Sequence, residues 1–254
     1  MDLMAEVNGH NLHVETFGLV GGHPVFLLHH GLGSTRAWKS QIPALMDRGF
    51  HIIVYDRWGY GQSDTRIEFS MPTFEDDLSD LYVLFKKFDI ERASLIGHSD
   101  GGTISLYFSA RHPHLVHSLV TIAAHVFVED KMESGIEDIL DAYENNRKFQ
   151  AGLYRVHGEN AERVFRNWYD GWHRPEVLNW DMRPDISLIN CPTFIIQGVE
   201  DEHTSPGHAR DIASSIPGAE LWLVDDSGHM LPKEDAEEFN RRVIKFLKRV
   251  YETE

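Results

Sequence analysis

Cysteine is nearly absent: Cys191 stands alone among 254 residues. No intrachain disulfide can form, as expected for a protein of a reducing compartment. Cys191 precedes Pro192 at the start of an apolar run and reads as a small buried hydrophobe rather than a nucleophile. Positive charge is scarce too, with 24 Lys and Arg against 40 Asp and Glu and a formal charge of −16. The acids are spread along the chain, densest at Glu129–Asp141, Glu200–Glu202 and Asp225–Glu238, and no basic stripe interrupts them. That excludes nucleic acid and anionic membrane as natural partners. The charge reads first as a source of solubility, and second as an attraction for cationic substrates. No apolar run is long enough to span a bilayer, and MDLMAEVNGH has neither the basic start nor the apolar core of a signal peptide. A cytoplasmic protein is expected. Repeats and low-complexity segments are also missing.

What is present is an ordinary globular composition, 42% hydrophobic and 25% charged, enough for a large core. Short apolar runs alternate with helical spacing. Met4–Val7 and Asn11–Phe17 read as a hairpin turned at Asn8-Gly9. Val25–His29, His51–Tyr55, Ala93–Ile96, Leu115–Ile122, Thr193–Gln197 and Leu221–Val224 read as strands, most of them apolar throughout and therefore covered on both faces. Between them lie predicted helices at Ala37–Asp47, Phe74–Phe88, Gly101–Ala110, His208–Ser215 and Glu234–Val250. From 125 to 185 the strands stop, and helical segments at Met132–Gln150 and Ala161–Trp172 take over. The expected architecture is α/β: a mostly parallel eight-stranded sheet flanked by helices. Residues 1–124 and 186–254 form its core, and 125–185 a helical cap inserted in it.

The strand ending at Ile96 runs into Gly97-His98-Ser99-Asp100-Gly101 and out into a helix. This is G-x-S-x-G in a strand–turn–helix setting, where the turn must be sharp enough to lift the hydroxyl above the sheet edge. Side chains two residues either side would crowd one another, so glycine suits both places. The serine then sits at a helix N-terminus, whose free N–H groups favour an oxyanion. A serine hydroxyl needs a base, and the order serine, acid, histidine along the chain is satisfied downstream. Asp201 follows the strand Thr193–Gln197, and His229 follows Leu221–Val224. Asp201 is preferred to Glu200 and Glu202 by position. His112, His114 and His117 lie at a helix–strand junction and are expected at the surface. The loop His30-Gly31-Leu32-Gly33 lacks G-x-G-x-x-G spacing and a following lysine, so it does not read as a nucleotide loop. Its amides can instead turn toward Ser99, and the expected oxyanion donors are the N–H groups of Leu32 and Asp100.

With these motifs the chain resembles the α/β-hydrolases over nearly its full length, through HHGLGS at 29–34, YDRWGYGQSD at 55–64, GHSDGG at 97–102, QGVEDEHTSP at 197–206 and DDSGHMLPKEDAEEF at 225–239. The resemblance implies Ser99, Asp201 and His229 as the triad, Leu32 and Asp100 as the oxyanion pair, and no cofactor or metal. It implies a structural role for Asp56, Gly59, Gly61 and Ser63, with Trp58 facing the pocket. An aspartate nucleophile is missing at position 99, which disfavours dehalogenase and epoxide-hydrolase activity. The S-D-G-G elbow and IAAHVFVED look most like the biphenyl-hydrolase-like, valacyclovirase-type esterases.

Within that resemblance the Asp100 side chain has two readings. It is structural, or it attracts the α-amino group of an amino-acid ester. Phe127, Trp168, Trp172 and Met230 are further candidates for the pocket wall. The expected function is hydrolysis of small carboxylic esters through an acyl-enzyme. The same triad also serves carbon–carbon bond hydrolysis of ring-cleavage products, cofactor-free perhydrolysis, or slow-turnover ligand reception. Oligomeric state is not legible.

Overall fold

The computed structural model describes residues 1–252. Eight strands, β1 (Asp2–Val7), β2 (His10–Phe17), β3 (Pro24–Leu28), β4 (His51–Tyr55), β5 (Ala93–His98), β6 (Val116–Ile122), β7 (Thr193–Gly198) and β8 (Glu220–Val224), form one sheet. Their order is β1-β2-β4-β3-β5-β6-β7-β8. Pairing is antiparallel at β1/β2 and β2/β4 and parallel from β4 to β8. Ten helices connect or flank the strands among the described residues: α1 (Gln41–Met46), α2 (Glu75–Lys87), α3 (Asp100–Arg111), α4 (Asp130–Asn145), α5 (Arg147–His157), α6 (Ala161–Trp172), α7 (Arg183–Ile186), α8 (Pro206–Ser215), α9 (Leu231–Glu234) and α10 (Ala236–Tyr251).

The apolar strands are central because both their faces are buried. Along β3, Phe26 and Leu28 enter one core while Val25 and Leu27 enter the other, as the period of two requires. The first core is closed by Leu81 of α2, Phe108 of α3 and Ile212 of α8. The second is closed by Leu45 of α1 with Phe239 and Val243 of α10. Helices α4 to α7 lie between β6 and β7, so the chain leaves the sheet at Ile122 and rejoins it at Thr193. Met182 N–H donates to the Val126 carbonyl at 2.9 Å, and an isolated bridge joins Phe127 to Asp181, tying the two ends of this excursion together.

Two predicted helices are each divided. A single helix over 37–47 would place Pro43 in its interior, where its missing N–H costs a bond. The chain instead makes a 3-10 turn at Thr35–Trp38, and α1 starts at Gln41 so that Pro43 falls in its first turn. The segment 132–150 breaks at Asn146, which caps α5 by accepting from Lys148 N–H at 3.0 Å and Phe149 N–H at 3.2 Å. The terminal helix forms as expected and starts at Ala236, after the short α9. His117 is not at the surface: it is buried on β6, its ring 4.6 Å from that of His23, while His114 is exposed and His112 half-buried. Cys191 is buried as expected, and burial pushes its thiol up to about 11. Among the described residues no helix is long and apolar enough to cross a membrane.

The 55–64 loop is held from within. Asp56 accepts from Thr35 N–H at 2.7 Å, Gln62 N–H at 2.9 Å and the His13 ring at 2.9 Å. This fixes the end of β4 against the chain that follows β3, beside the rim where β3, β5 and β7 terminate.

Candidate active site

β5 ends at His98 and α3 begins at Asp100, so Ser99 alone makes the turn. Its φ of 54° and ψ of −121° lie in a backbone region that costs a residue with a side chain about 1–3 kcal/mol. Ser99 N–H donates to the Ile122 carbonyl at 2.8 Å, and the Ser99 carbonyl accepts from Gly102 and Thr103 N–H at 2.8 and 3.0 Å. A Cβ on Gly97 would fall on the Gly101 carbonyl, the crowding expected from the sequence. A Cβ on Gly101 would fall elsewhere, on the Leu28 carbonyl at the end of β3. Both glycines are thus dictated by close approach rather than by φ.

His229 and Asp201 meet across 28 residues. The His229 Nδ1 lies 2.9 Å from Asp201 Oδ2. Asp201 is fully buried and accepts four further hydrogen bonds, from Gln197 Nε2 (2.9 Å), His203 N–H (2.8 Å), Thr204 N–H (3.0 Å) and Thr204 Oγ1 (3.1 Å). Burial opposes its charge, yet His229 and these donors hold the carboxyl well below the usual carboxylate range. The backbone of His229 is fixed at both ends: its N–H donates to Glu202 Oε2 at 3.0 Å, and its carbonyl accepts from His98 Nε2 at 2.9 Å.

Four imidazoles crowd here. The His98 ring is 5.1 Å from His229 and the same from His30, and His203 is 4.8 Å from His229. Burial pushes His30 and His203 down to about 4 and His98 well below its ordinary value. His229 suffers the same burial, but the Asp201 carboxylate outweighs it and raises the ring above 6.5. At neutral pH the flanking rings are uncharged, and His229 is the one whose protonated form the site favours.

Ser99 and His229 line one cavity of about 430 Å³. Leu32, at φ 59°, forms part of its wall beside Asp100. The Leu32 carbonyl accepts from His157 Nε2 at 3.0 Å, while His157 Nδ1 accepts from Gly61 N–H at 3.0 Å. His157 therefore carries its proton on Nε2 and ties α5 to the loop after β3. Asp100 is buried and lines the cavity. Its Oδ2 lies 3.4 Å from Arg57 Nη2, and Arg57 continues to Asp77 (3.2 Å), which also receives Arg66 (3.1 Å). Burial opposes the Asp100 charge, but His125 and Arg57 hold the carboxyl below its ordinary value. Its Oδ1 has no hydrogen bond, nor has His125 Nε2, 3.4 Å away, nor Trp168 Nε1; all three side chains face the cavity. Trp168, Trp172 and Met230 line it as well. Trp58 and Phe127 do not. Trp58 stacks on His10 at 4.0 Å and donates to the Thr65 carbonyl at 3.2 Å, and Phe127 stacks on His208 at 4.0 Å. Among the described residues no cluster of His, Cys, Asp or Glu could hold a metal ion.

A family model for the alpha/beta hydrolase fold matches residues 24–175. The chain belongs to the α/β-hydrolase fold family. Serine hydrolase BPHL of Mus musculus is 31% identical over 95% of this chain and 84% of its own length. The Homo sapiens protein of the same name is 30% identical over the same shares. Among solved structures, the enol-lactonase from Burkholderia xenovorans LB400 aligns with a TM-score of 0.79 over 97% of this chain and 100% of its own, at 23% identity, a likeness of fold.

Within this α/β-hydrolase, sequence reasoning missed Arg57, His125, His157, Gln197 and Thr204. Arg57 was visible inside the D-x-x-G-x-G-x-S pattern, since a charge amid so many small residues must be paired. The others carry no local signal, because their partners lie far away in the chain. Titration of His229 by NMR should give a pKa above 6.5, because the neighbouring carboxylate favours the charged ring. Asp201→Asn removes that charge, so the pKa should fall. An unchanged value would mean that Asp201 does not control the ring.

Proposed function

We propose that the protein is a serine esterase that hydrolyses small carboxylic esters through an acyl-enzyme. The observation that carries this is the Ser99 turn sharing a cavity with a histidine whose Nδ1 is committed to a buried carboxylate. With Nδ1 bound to Asp201, Nε2 is the nitrogen left to accept the serine proton. Ser99 Oγ attacks the ester carbonyl as its proton passes to His229. The carbonyl oxygen becomes an oxyanion facing the N–H groups of Leu32 and Asp100. His229 then gives the proton to the departing alcohol oxygen, and the acyl group remains on Ser99. A water molecule repeats the sequence and releases the acid. The likeness to serine hydrolase BPHL supports the same chemistry. The helices between β6 and β7 act as a cap over the reaction, giving its apolar roof Met132, Ile136, Leu153, Trp168 and Trp172. His157, on one of those helices, braces the loop that offers the Leu32 N–H.

The electrostatics favour esters with an amino group on the acyl side. Arg57 and Arg66 face Asp77 and Asp100 in the interior, and Arg66 also reaches the half-exposed Asp76. Asp100 Oδ1 is buried, with His125 Nε2 at 3.4 Å, and the Asp100 side chain lines the cavity. An ammonium in the cavity beside Asp100 gains that carboxylate as a counter-charge, and an apolar roof strengthens the attraction by excluding water.

On a panel of p-nitrophenyl and alkyl esters the wild type should turn over repeatedly, and Ser99→Ala should lose roughly 10⁴-fold or more of kcat. A single stoichiometric burst would instead mark a ligand receptor, and full activity in the variant would refute the serine mechanism. Asp100→Asn should lower kcat/KM for an alanine ester about tenfold or more relative to the matching propionate ester, through loss of one buried charge pair. Equal losses on both would assign Asp100 a structural role only.

A further inference from the structure

We propose that this protein has a second subsite, for an alcohol moiety bearing a carboxylate or phosphate, in a cationic groove that adjoins the catalytic cavity at Met230 and Lys233. The proposal deepens the esterase reading and rests on it. The groove, of about 400 Å³, runs between the loop after β3 and the start of α9. It shares His30, Leu32, Met230 and Lys233 with the catalytic cavity, so the two spaces adjoin.

Its position fixes what it can hold. The leaving oxygen must lie at the His229 ring to receive its proton. Met230 follows that ring directly in the chain and Lys233 comes three residues later, and both line the cavity and the groove, as does Leu32. An alcohol released there extends along the groove, whereas the acyl group sits by Asp100, His125 and Trp172, none of which lines it.

Its charge fixes what it prefers. The chain has 40 acids and 24 Lys and Arg, yet the described lining of the groove carries Arg36, Lys39 and Lys233 and no carboxylate. All three are exposed at their charged ends, as a site for a solvated anion requires. Arg36 Nη1 donates to the Arg155 carbonyl at 2.7 Å, which aims the guanidinium along the wall and leaves its other donors available. A protein of net charge −16 repels anions at long range, but that repulsion is screened beyond about 10 Å at 0.1 M salt, so the local cations decide. Anion preference is thus the opposite of what the whole-molecule charge alone would produce.

The test compares acetyl esters of three alcohols with the same benzylic oxygen: 4-(hydroxymethyl)benzamide, 4-(hydroxymethyl)benzoate and 4-(hydroxymethyl)phenyl phosphate. At low salt, kcat/KM for one or both anionic esters should exceed that of the amide by roughly tenfold, each exposed cation contributing about two- to fivefold. The advantage should shrink as salt is raised. Whether benzoate or phosphate gains more identifies the anion. In Lys39→Gln/Lys233→Gln the ratio of anionic to neutral kcat/KM should fall by about fivefold or more. The ratio is the readout, so a loss common to all three esters cancels. Equal rates on the three esters in wild type, or a ratio unmoved by the double substitution, would overturn the subsite while leaving the esterase intact. Failure to hydrolyse any of them, or p-nitrophenyl acetate, would overturn both together.

Discussion

The N-terminus of α3 is pressed against the ends of β3 and β5 so closely that residues 97 and 101 cannot carry a side chain. The Gly101 carbonyl occupies the space a Cβ on Gly97 would need, and the Leu28 carbonyl does the same to residue 101. From this contact the rest follows. Ser99 must reverse the chain within one residue and takes φ 54°. Ser99 thereby lines the cavity at the N-terminus of α3. The strain is stable because Ile122, Gly102 and Thr103 hydrogen-bond the backbone on both sides.

The second determinant is selective charge. Burial works against a proton on every imidazole around the turn, and only His229 has a fully satisfied carboxylate at 2.9 Å to offset it. Asp201 can do this because its five hydrogen-bond donors leave it no other arrangement. A similar logic runs on the acyl side. His125 and Arg57 hold Asp100 ionised against its burial, and its side chain lines the cavity.

Much of this was legible in the chain. Strands covered on both faces are apolar throughout, so β3 to β7 announce themselves, and the parallel order follows from their alternation with helices. Gly97, Ser99 and Gly101 announce the turn because close approach leaves a glycine signature. Asp201 and His229 were found by their place just after strands. The break at Asn146 was not found, since a capping side chain overrides a continuous helical pattern. Neither was the burial of His117, a polar residue packed ring to ring with His23. Trp58 was misplaced for a related reason: an aromatic next to a glycine loop suits a pocket wall, but His10 offers it a stacking partner from β2. Arg57, His125 and His157 act through partners 43, 25 and 125 residues away, separations that no local pattern records.

The central claim is that the strained turn and the buried Asp201–His229 pair together make one hydroxyl among many nucleophilic. Intact-protein and peptide mass spectrometry after brief exposure to a fluorophosphonate measures this directly. The account predicts a single adduct, on Ser99, that forms far more slowly in His229→Ala. Adducts spread over several serines, or labelling of Ser99 at the same rate without the imidazole, would contradict it.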